Sequence, residues 1–362
     1  MSGVLTLNAG SSSVKFSVWA DEVRVLEGQV DGLGPDAKLR IKGEDPVALG
    51  ITDHARALSE ILGALGPRLP ALEITGVGHR IAHGGVDFVG PTDLTDTVME
   101  KLALLVPFAP LHQPHNLACV RAAQQAFPDT RQIGCFDTAF HRSHPWVNDT
   151  FGLPRRFYDK GVRRFGFHGL SYDYITSRLE RDYPELAAGR VVIAHLGNGA
   201  SLCAVNHGAS VASTMGFSAL DGIPMGTRCG QLDPGVLLYF MDQLHMRPEE
   251  ITRILYKESG LLGLSGISHD MRTLEASDAS EARQAIEYFC FRIRREIGAL
   301  ATTLAGLDAL VFCGGIGENS ETIRAEILSG LEFLGLPDRV PCLVIPTDEE
   351  SVIARAFKSE TV

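Results

Sequence analysis

Three short runs rich in β-branched and aromatic residues open the chain: Val4 to Leu7, Val14 to Trp19 and Val23 to Val30. A polar stretch, Asn8-Ala-Gly-Ser-Ser-Ser13, separates the first two. Runs of this length bounded by Gly and Ser predict an antiparallel meander with a polar first turn. The same order returns later: Val191 to His195, Leu196-Gly-Asn-Gly-Ala-Ser201, Leu202 to Val205 and Ser210 to Ser213. Gly10 and Gly199 stand about half a chain apart, which predicts two domains that each open with strand, Gly/Ser turn and strand. Chance likeness of two hairpins is the competing explanation.

Helical periodicity is clearest late in the chain, where Ile286, Phe289, Ile293, Ile297, Leu300 and Leu304 recur every three or four residues. That spacing lays an apolar stripe along one face of a long helix. Further helices are predicted at 112–126, 171–182, 234–244, 248–257 and 319–330. Leu310 to Cys313 reads as a buried strand running into a turn at Gly314-Gly-Ile-Gly317. Strands mixed with helices, and Gly-rich turns at strand ends, predict an α/β protein with ligands at those turns.

Composition narrows the function. Against 44 Asp and Glu the chain carries 33 Lys and Arg, a net charge of −11, with no long basic run. Nothing in this balance tracks a nucleic-acid backbone or an anionic membrane, so an anionic ligand must be gripped by local groups. Charges such as Asp308 interrupt the apolar stretches before a membrane span forms. The seven cysteines are scattered, with no C-x-x-C pair, which points to reduced thiols in a cytosol. Residues 1 to 8 lack a signal peptide's basic start and long apolar stretch and read as a strand.

The P-loop, the nucleophile elbow, the H-E-x-x-H helix and a complete dinucleotide fingerprint are all missing. Three glycine-rich turns remain, Asn8 to Ser13, Gly197 to Ser201 and Gly314 to Ser320, the first followed by Lys15. Glycine lets backbone approach a ligand while Ser and Asn supply donors, so such turns suit phosphate, although each alone serves equally as an ordinary turn. Histidine and arginine gather in short clusters: Gly78-His-Arg80-Ile-Ala-His-Gly-Gly85, Pro110-Leu-His112, Phe136-Asp137-Thr-Ala-Phe-His141, Phe165-Gly-Phe-His168-Gly and Gly226-Thr-Arg228-Cys-Gly. A lone histidine is more often structural. Arg80 and Arg228, each near glycine, have the fork geometry that clamps phosphate or carboxylate.

Taken together and in order, LNAGSSSVKFSV (7–18), GHRIAHGG (78–85), PLHQPHN (110–116), FDTAFH (136–141), RFGFHGLS (164–171), AHLGNGAS (194–201), DGIPMGTRCGQLDPG (221–235), HDMR (269–272), GGIGENS (314–320) and IPTDEE (345–350) resemble the motifs of the acetate kinase family. The resemblance implies two ribonuclease-H-like, actin-like ATPase domains of duplicated topology flanking a nucleotide cleft. Residues 1–137 with 347–362 would form the first domain and 138–346 the second, nucleotide-binding one. It also implies a reversible ATP- and Mg²⁺-dependent carboxylate kinase, with Mn²⁺ able to substitute, and a cytoplasmic homodimer.

By the same resemblance Arg80 and Arg228 bind the carboxylate and the transferring phosphoryl group, His168 hydrogen-bonds that phosphoryl, and Asp137 is the essential acid. Asn8 and Glu349 hold the metal. Lys15, His195, Leu196, Gly197, Asn198, Gly199, Asp270, Met271, Arg272, Gly315, Ile316, Gly317, Glu318 and Asn319 line the nucleotide site. Ala82, Leu111, His112, Phe167 and Ala219 join Arg80 around the acyl group. Ala82 and Ala219 replace the Val and Pro common in acetate-selective members, so propionate is expected as a substrate beside acetate. A butyrate or branched-chain kinase is the nearest rival, and an actin- or chaperone-like ATPase the rival of another class. Two departures stand out: Gln113 and His115 replace an Asn and a small residue or proline, and little chain lies between Val30 and Ile51, where reduced peripheral elements are expected.

The chemistry asks for such a set. A carboxylate of pKa about 4 is ionised at neutral pH, so it attacks phosphorus without a general base. Catalysis then rests on charge neutralisation and in-line positioning.

Overall fold

The computed structural model describes residues 2–10 and 13–358. They form two compact units, one that runs to residue 140 and resumes from 348 to 358, and one of residues 141–347. Ser11 and Ser12 of the first Gly/Ser turn, and 359–362, lie outside the described residues.

The first unit is built on an eight-stranded sheet: β1 (Ser2–Ala9), β2 (Ser13–Ala20), β3 (Val23–Asp31), β4 (Gly34–Ile41), β5 (Val47–Thr52), β6 (Glu73–Ile81), β7 (Thr92–Asp93) and β8 (Arg131–Phe136). Its order is β5-β4-β3-β2-β1-β6-β8-β7. β1, β2 and β3 pair antiparallel, as their sequence pattern predicts, while β6 runs parallel to β1 and β8 parallel to β6. The stretch after Val30 forms the β4–β5 hairpin, which widens the sheet. Helix His54–Arg68 starts where the Asp53 side chain accepts the Arg56 N–H at 2.8 Å and buries Ala57, Leu58, Ile61, Ala64 and Leu65, the face that a 3.6-residue period lines up. Leu5, Leu7, Val14, Phe16, Val18 and Val77 meet it in one core.

Helix Glu349–Arg355 packs on β1 and β6 of this unit. Glycine permits the approach. A Cβ on Gly78 of β6 would stand 2.4 Å from Ile353 Cγ2, and one on Gly76 2.4 Å from Phe357 Cε1. Side chains there would hold the helix off the sheet and Glu349 away from Arg80.

The second unit repeats the plan: β9 (Arg190–Leu196), β10 (Ala200–Asn206), β11 (Ala209–Ser213), β12 (Ala309–Cys313) and β13 (Cys342–Val344), in the order β11-β10-β9-β12-β13. β9 and β10 pair antiparallel, as do β10 and β11, while β12 runs parallel to both β9 and β13. Three antiparallel strands followed by two parallel ones is the core order of the first unit, so the topology is duplicated and each sheet has the ribonuclease-H-like arrangement. The long helix spans Ser280–Thr303 and buries Phe289, Ile293, Ile297 and Leu300 against β9 and β10. One expectation is overturned: Gly314–Asn319 is a short helix, not a turn, while the helix predicted at 319–330 spans Glu321–Leu328. The Glu318 carboxylate accepts the Gly314 N–H at 2.8 Å and closes that helix at its N-terminus.

Candidate active site

In the first unit the ends of parallel strands deliver the polar groups. Arg80 is the next-to-last residue of β6, Asp137 follows β8, and Asn8 lies near the end of β1, which is where an open α/β sheet presents ligand-binding residues. Arg80 Nε donates to Asp137 Oδ1 at 2.8 Å and Nη2 to Oδ2 at 2.7 Å, a bidentate fork. Nη1 donates to Asn8 Oδ1 at 3.1 Å and lies 3.7 Å from Glu349 Oε2, to which Asn8 Nδ2 also donates at 3.4 Å. Asn8, Arg80, Asp137 and Glu349, widely separated in sequence, thus form one cluster. Burial alone would lower the Arg80 pKa, yet Asp137 and Glu349 outweigh it and hold the guanidinium above its ordinary value. Asp137 is 2% exposed, and burial raises its carboxyl above the usual range while Arg80 pulls it back.

The strand ends are tied together by Asn116, a residue that the reading of the sequence did not single out. Its Oδ1 accepts the Ala82 N–H at 2.9 Å and its Nδ2 donates to the Ala9 carbonyl at 2.6 Å, fixing β6 to β1 beside Arg80 and Asn8. Gln113 does the same for the next turn, bonding His83 N and O at 3.1 and 3.0 Å. His115 stacks on His54 with centroids 4.6 Å apart, and His54 Nε2 donates to the Gly10 carbonyl at 2.7 Å. Ala82 is buried, while Leu111 and His112 lead half-buried into helix Gln113–Ala126. Lys15 lies opposite Asn8 in the β1–β2 register with its side chain exposed.

The second unit gathers His168, His195, Arg228 and Gly315 around the turn between β9 and β10. His168 immediately precedes helix Gly169–Asp182 in the left-handed region, φ 59° and ψ 23°, a conformation that non-glycine residues rarely hold without a reason. His141 contributes one, donating from Nε2 to the Phe167 carbonyl at 2.9 Å. His168 stacks on His195 at 4.4 Å between ring centroids, and its Nδ1 lies 2.8 Å from Ser201 Oγ. His195 Nδ1 is 2.8 Å from Ser171 Oγ. Arg228 donates from Nη1 to the Ala219 carbonyl at 2.9 Å. A Cβ on Gly199 would stand 2.6 Å from Arg228 Nη2 and 3.2 Å from His168 Nε2, so glycine is what lets these two side chains converge over the turn.

Asn198 takes part through its backbone, its carbonyl accepting the Gly226 N–H at 3.1 Å. Leu196 and Phe167 belong to the apolar core of the unit. Asp270, the N-cap of helix Met271–Glu275, pairs with Arg272, which lowers its carboxyl pKa; both line an open pocket with Ile267 and Thr273. Met271 is buried behind them. Of the short helix, Gly315 lies against the Gly197 turn, and Ile316 packs against the core that encloses Gly317. Asn319 Nδ2 donates to the Gly315 carbonyl at 2.8 Å. Glu318 turns inward, its Oε1 also accepting Thr347 N–H at 3.0 Å, so that it braces the site. Ser201, Tyr172, Asn116 and His141 were not among the predicted site residues. All lie in or beside the quoted motifs, but polar residues in such stretches carry no mark of which neighbour they meet.

Asp137, Glu349 and the Asn8 amide form a hard-oxygen set of the kind that takes Mg²⁺ through one or two carboxylates together with substrate phosphate. These residues therefore fit that ion. Among the described residues no group of three or more His, Cys, Asp and Glu side chains is placed to hold a metal ion.

Comparison with known proteins agrees across the chain. The model of the Acetokinase family matches residues 3–338. The acetate kinase of Methylocella silvestris is 52% identical over 389 aligned positions, covering 97% of this chain and 96% of its own. That of Nitrobacter hamburgensis is 46% identical over 385, covering 98% and 95%. Among solved structures, a propionate kinase from Francisella tularensis superposes with a TM-score of 0.92 at 33% identity, covering 98% of this chain and 99% of its own. The Porphyromonas gingivalis acetate kinase gives 0.89 at 35% identity and 99% of each chain.

Proposed function

Because the chain belongs to the acetokinase family, we propose that it transfers the γ-phosphoryl group of ATP to a short-chain carboxylate, reversibly, giving an acyl phosphate and ADP. The observation that carries this reading is the convergence of Arg228 Nη2 and His168 Nε2 over Gly199. A guanidinium and an imidazole aimed at one point suit the charge that spreads over a transferring phosphoryl group. Arg80, already forked to Asp137, offers the substrate carboxylate a preorganised cation. The nucleophile is anionic before it binds, so Asp137 acts by orienting Arg80 and takes no proton. The second unit handles the nucleotide, through the β9–β10 turn, the Gly315 helix and the Asp270–Arg272 pocket.

Asn8 and Glu349 would hold Mg²⁺, with Asp137 beside them. Bound there, the ion supplies charge neutralisation for the β- and γ-phosphates. Ala82 beside Arg80 leaves room that favours acceptance of propionate as well as acetate.

A homodimer is supported by helix Pro234–Asp242. None of its residues is buried, and Leu238, Tyr239 and Met241 are exposed along with Leu244 just beyond it. An apolar helix left bare is covered in the native assembly. All seven cysteines are free thiols and five are buried, which suits a reducing cytoplasm. No helix among the described residues is long and apolar enough to cross a membrane.

The test is chemical. Protein, ATP, Mg²⁺ and acetate or propionate are incubated with hydroxylamine, which converts only an acyl phosphate to a hydroxamate. Hydroxamate formation dependent on both ATP and carboxylate is expected; ATP hydrolysis without hydroxamate overturns the reading.

A further inference from the structure

Behind His168 lies a buried chain of hydroxyl groups. Tyr172, one helical turn beyond His168 on helix Gly169–Asp182, is 0% exposed, as is Ser201 on β10. Tyr172 Oη is 2.5 Å from Ser201 Oγ, and Ser201 Oγ is 2.8 Å from His168 Nδ1. Ser201 comes from β10 while His168 and Tyr172 share one end of a helix, so the alignment of the three is a product of the fold.

We propose that Tyr172 and Ser201 form a relay that fixes neutral His168 as the Nε2–H tautomer, making them positioning residues for phosphoryl transfer; the catalytic half of this inference rests on His168 facing the phosphoryl group, as read above. A neutral imidazole carries one proton, and the hydrogen bond at one nitrogen decides where it sits. A phenol is a stronger donor and a weaker acceptor than an aliphatic hydroxyl, so Tyr172 donates to Ser201 Oγ. Burial keeps the phenol protonated by raising its pKa well above the ordinary value. Ser201 has a single proton and directs it to His168 Nδ1, the direction in which successive hydrogen bonds polarise one another. Nδ1 then accepts, and the ring proton sits on Nε2, the nitrogen that converges with Arg228 Nη2 over Gly199. There an N–H attracts phosphoryl oxygen, whereas a lone pair would repel it.

The arrangement on either side holds the ring for this purpose. His141 anchors the Phe167 carbonyl next to it, and His195 stacks on its face. Tilting the ring would break the stack and flipping it would break the Ser201 bond, so Nδ1 and Nε2 keep distinct partners.

Two-bond ¹H–¹⁵N correlation spectra of the full-length protein read the tautomer directly, with the His168 signals assigned from their loss in His168→Asn. At neutral pH the native protein is expected to show a protonated Nε2 and an unprotonated Nδ1. Ser201→Ala and Tyr172→Phe are expected to add the Nδ1–H form. Loss of a transition-state donor costs about 10²-fold or more in kcat, and a tautomer mixture forfeits part of this. A kcat about tenfold lower, with KM for ATP and carboxylate within about threefold, is therefore expected in either variant. Tyr172→Phe keeps the buried ring and carries the test alone if Ser201→Ala does not fold. A native Nδ1–H tautomer, or the native tautomer retained in Tyr172→Phe, overturns the relay. A shifted tautomer with unchanged kcat supports the relay and overturns the phosphoryl-facing role of His168.

Discussion

Asp137 receives Arg80 at two points, Oδ1 from Nε at 2.8 Å and Oδ2 from Nη2 at 2.7 Å, so the residue after β8 and the penultimate residue of β6 form one rigid unit. Rigidity suits the proposed role of Arg80, in which the guanidinium is aimed before a substrate arrives. Arg80→Ala removes the cation and leaves Asp137 buried without its countercharge, and a loss of about 10²-fold or more in kcat/KM is expected. Asp137→Asn is expected to impair Mg²⁺-dependent turnover while the acidic limb of the pH–rate profile stays in place. Disappearance of that limb, with the metal response intact, would show a proton-accepting role instead.

Gly199 gives a steric test in the second unit. An alanine there places its Cβ 2.6 Å from Arg228 Nη2, a distance that forces the guanidinium aside. Gly199→Ala is expected to lower kcat at least tenfold, on the order of a partly misplaced charge donor, with the circular dichroism spectrum unchanged. Native turnover would mean that the convergence of Arg228 and His168 is not used.

Acyl preference is expected to follow Ala82. Burying one further methylene gains roughly 0.8 kcal/mol, so a pocket of this kind discriminates only modestly. Propionate is expected to be used at least as well as acetate, and Ala82→Val to move the ratio of kcat/KM values toward acetate. A propionate kcat/KM more than tenfold below that for acetate rules this out.

The bare helix Pro234–Asp242 yields a prediction about assembly. Leu238, 57% exposed, is expected to lie at the centre of the dimer contact. Leu238→Asp is expected to convert a dimer of the native chain to a monomer in light scattering. A native monomer at micromolar concentration would contradict the assignment.

Acid sensitivity follows from buried neutral histidines. Burial lowers His79, bonded to Gln132, and His141, bonded to the Phe167 carbonyl, to about 4 each. In the unfolded chain both titrate near the ordinary 6.5, so below that pH the unfolded state binds more protons and stability falls as pH drops toward 4. Each histidine contributes a slope of about 1.4 kcal/mol per pH unit in that window. Urea midpoints are expected to decline from pH 7 to 5, and less steeply in His79→Gln. A flat profile, or an unaltered slope in the variant, would show that these rings are not buried in neutral form.

The opening meander and its return after Val191 are legible in the chain because a strand, a Gly/Ser turn and a strand are local events, set by β-propensity and turn chemistry. The stripe from Ile286 to Leu304 is legible for the same reason, since a 3.6-residue period needs no partner to be seen. Arg80, His168 and Arg228 are marked by their motifs as a set. What the tertiary structure decided is which groups meet. Arg80 is joined to Asp137 and Glu349 only because two parallel strands end side by side and because Gly76 and Gly78 let the helix of Glu349 settle onto β6. Glu318, which its motif marks without saying what it meets, caps its own helix by accepting the Gly314 N–H, because the first N–H groups of a helix have no partner within it. Tyr172 and Ser201 were invisible as partners of His168, because a buried hydroxyl declares its role only through the neighbour that the fold brings within 3 Å.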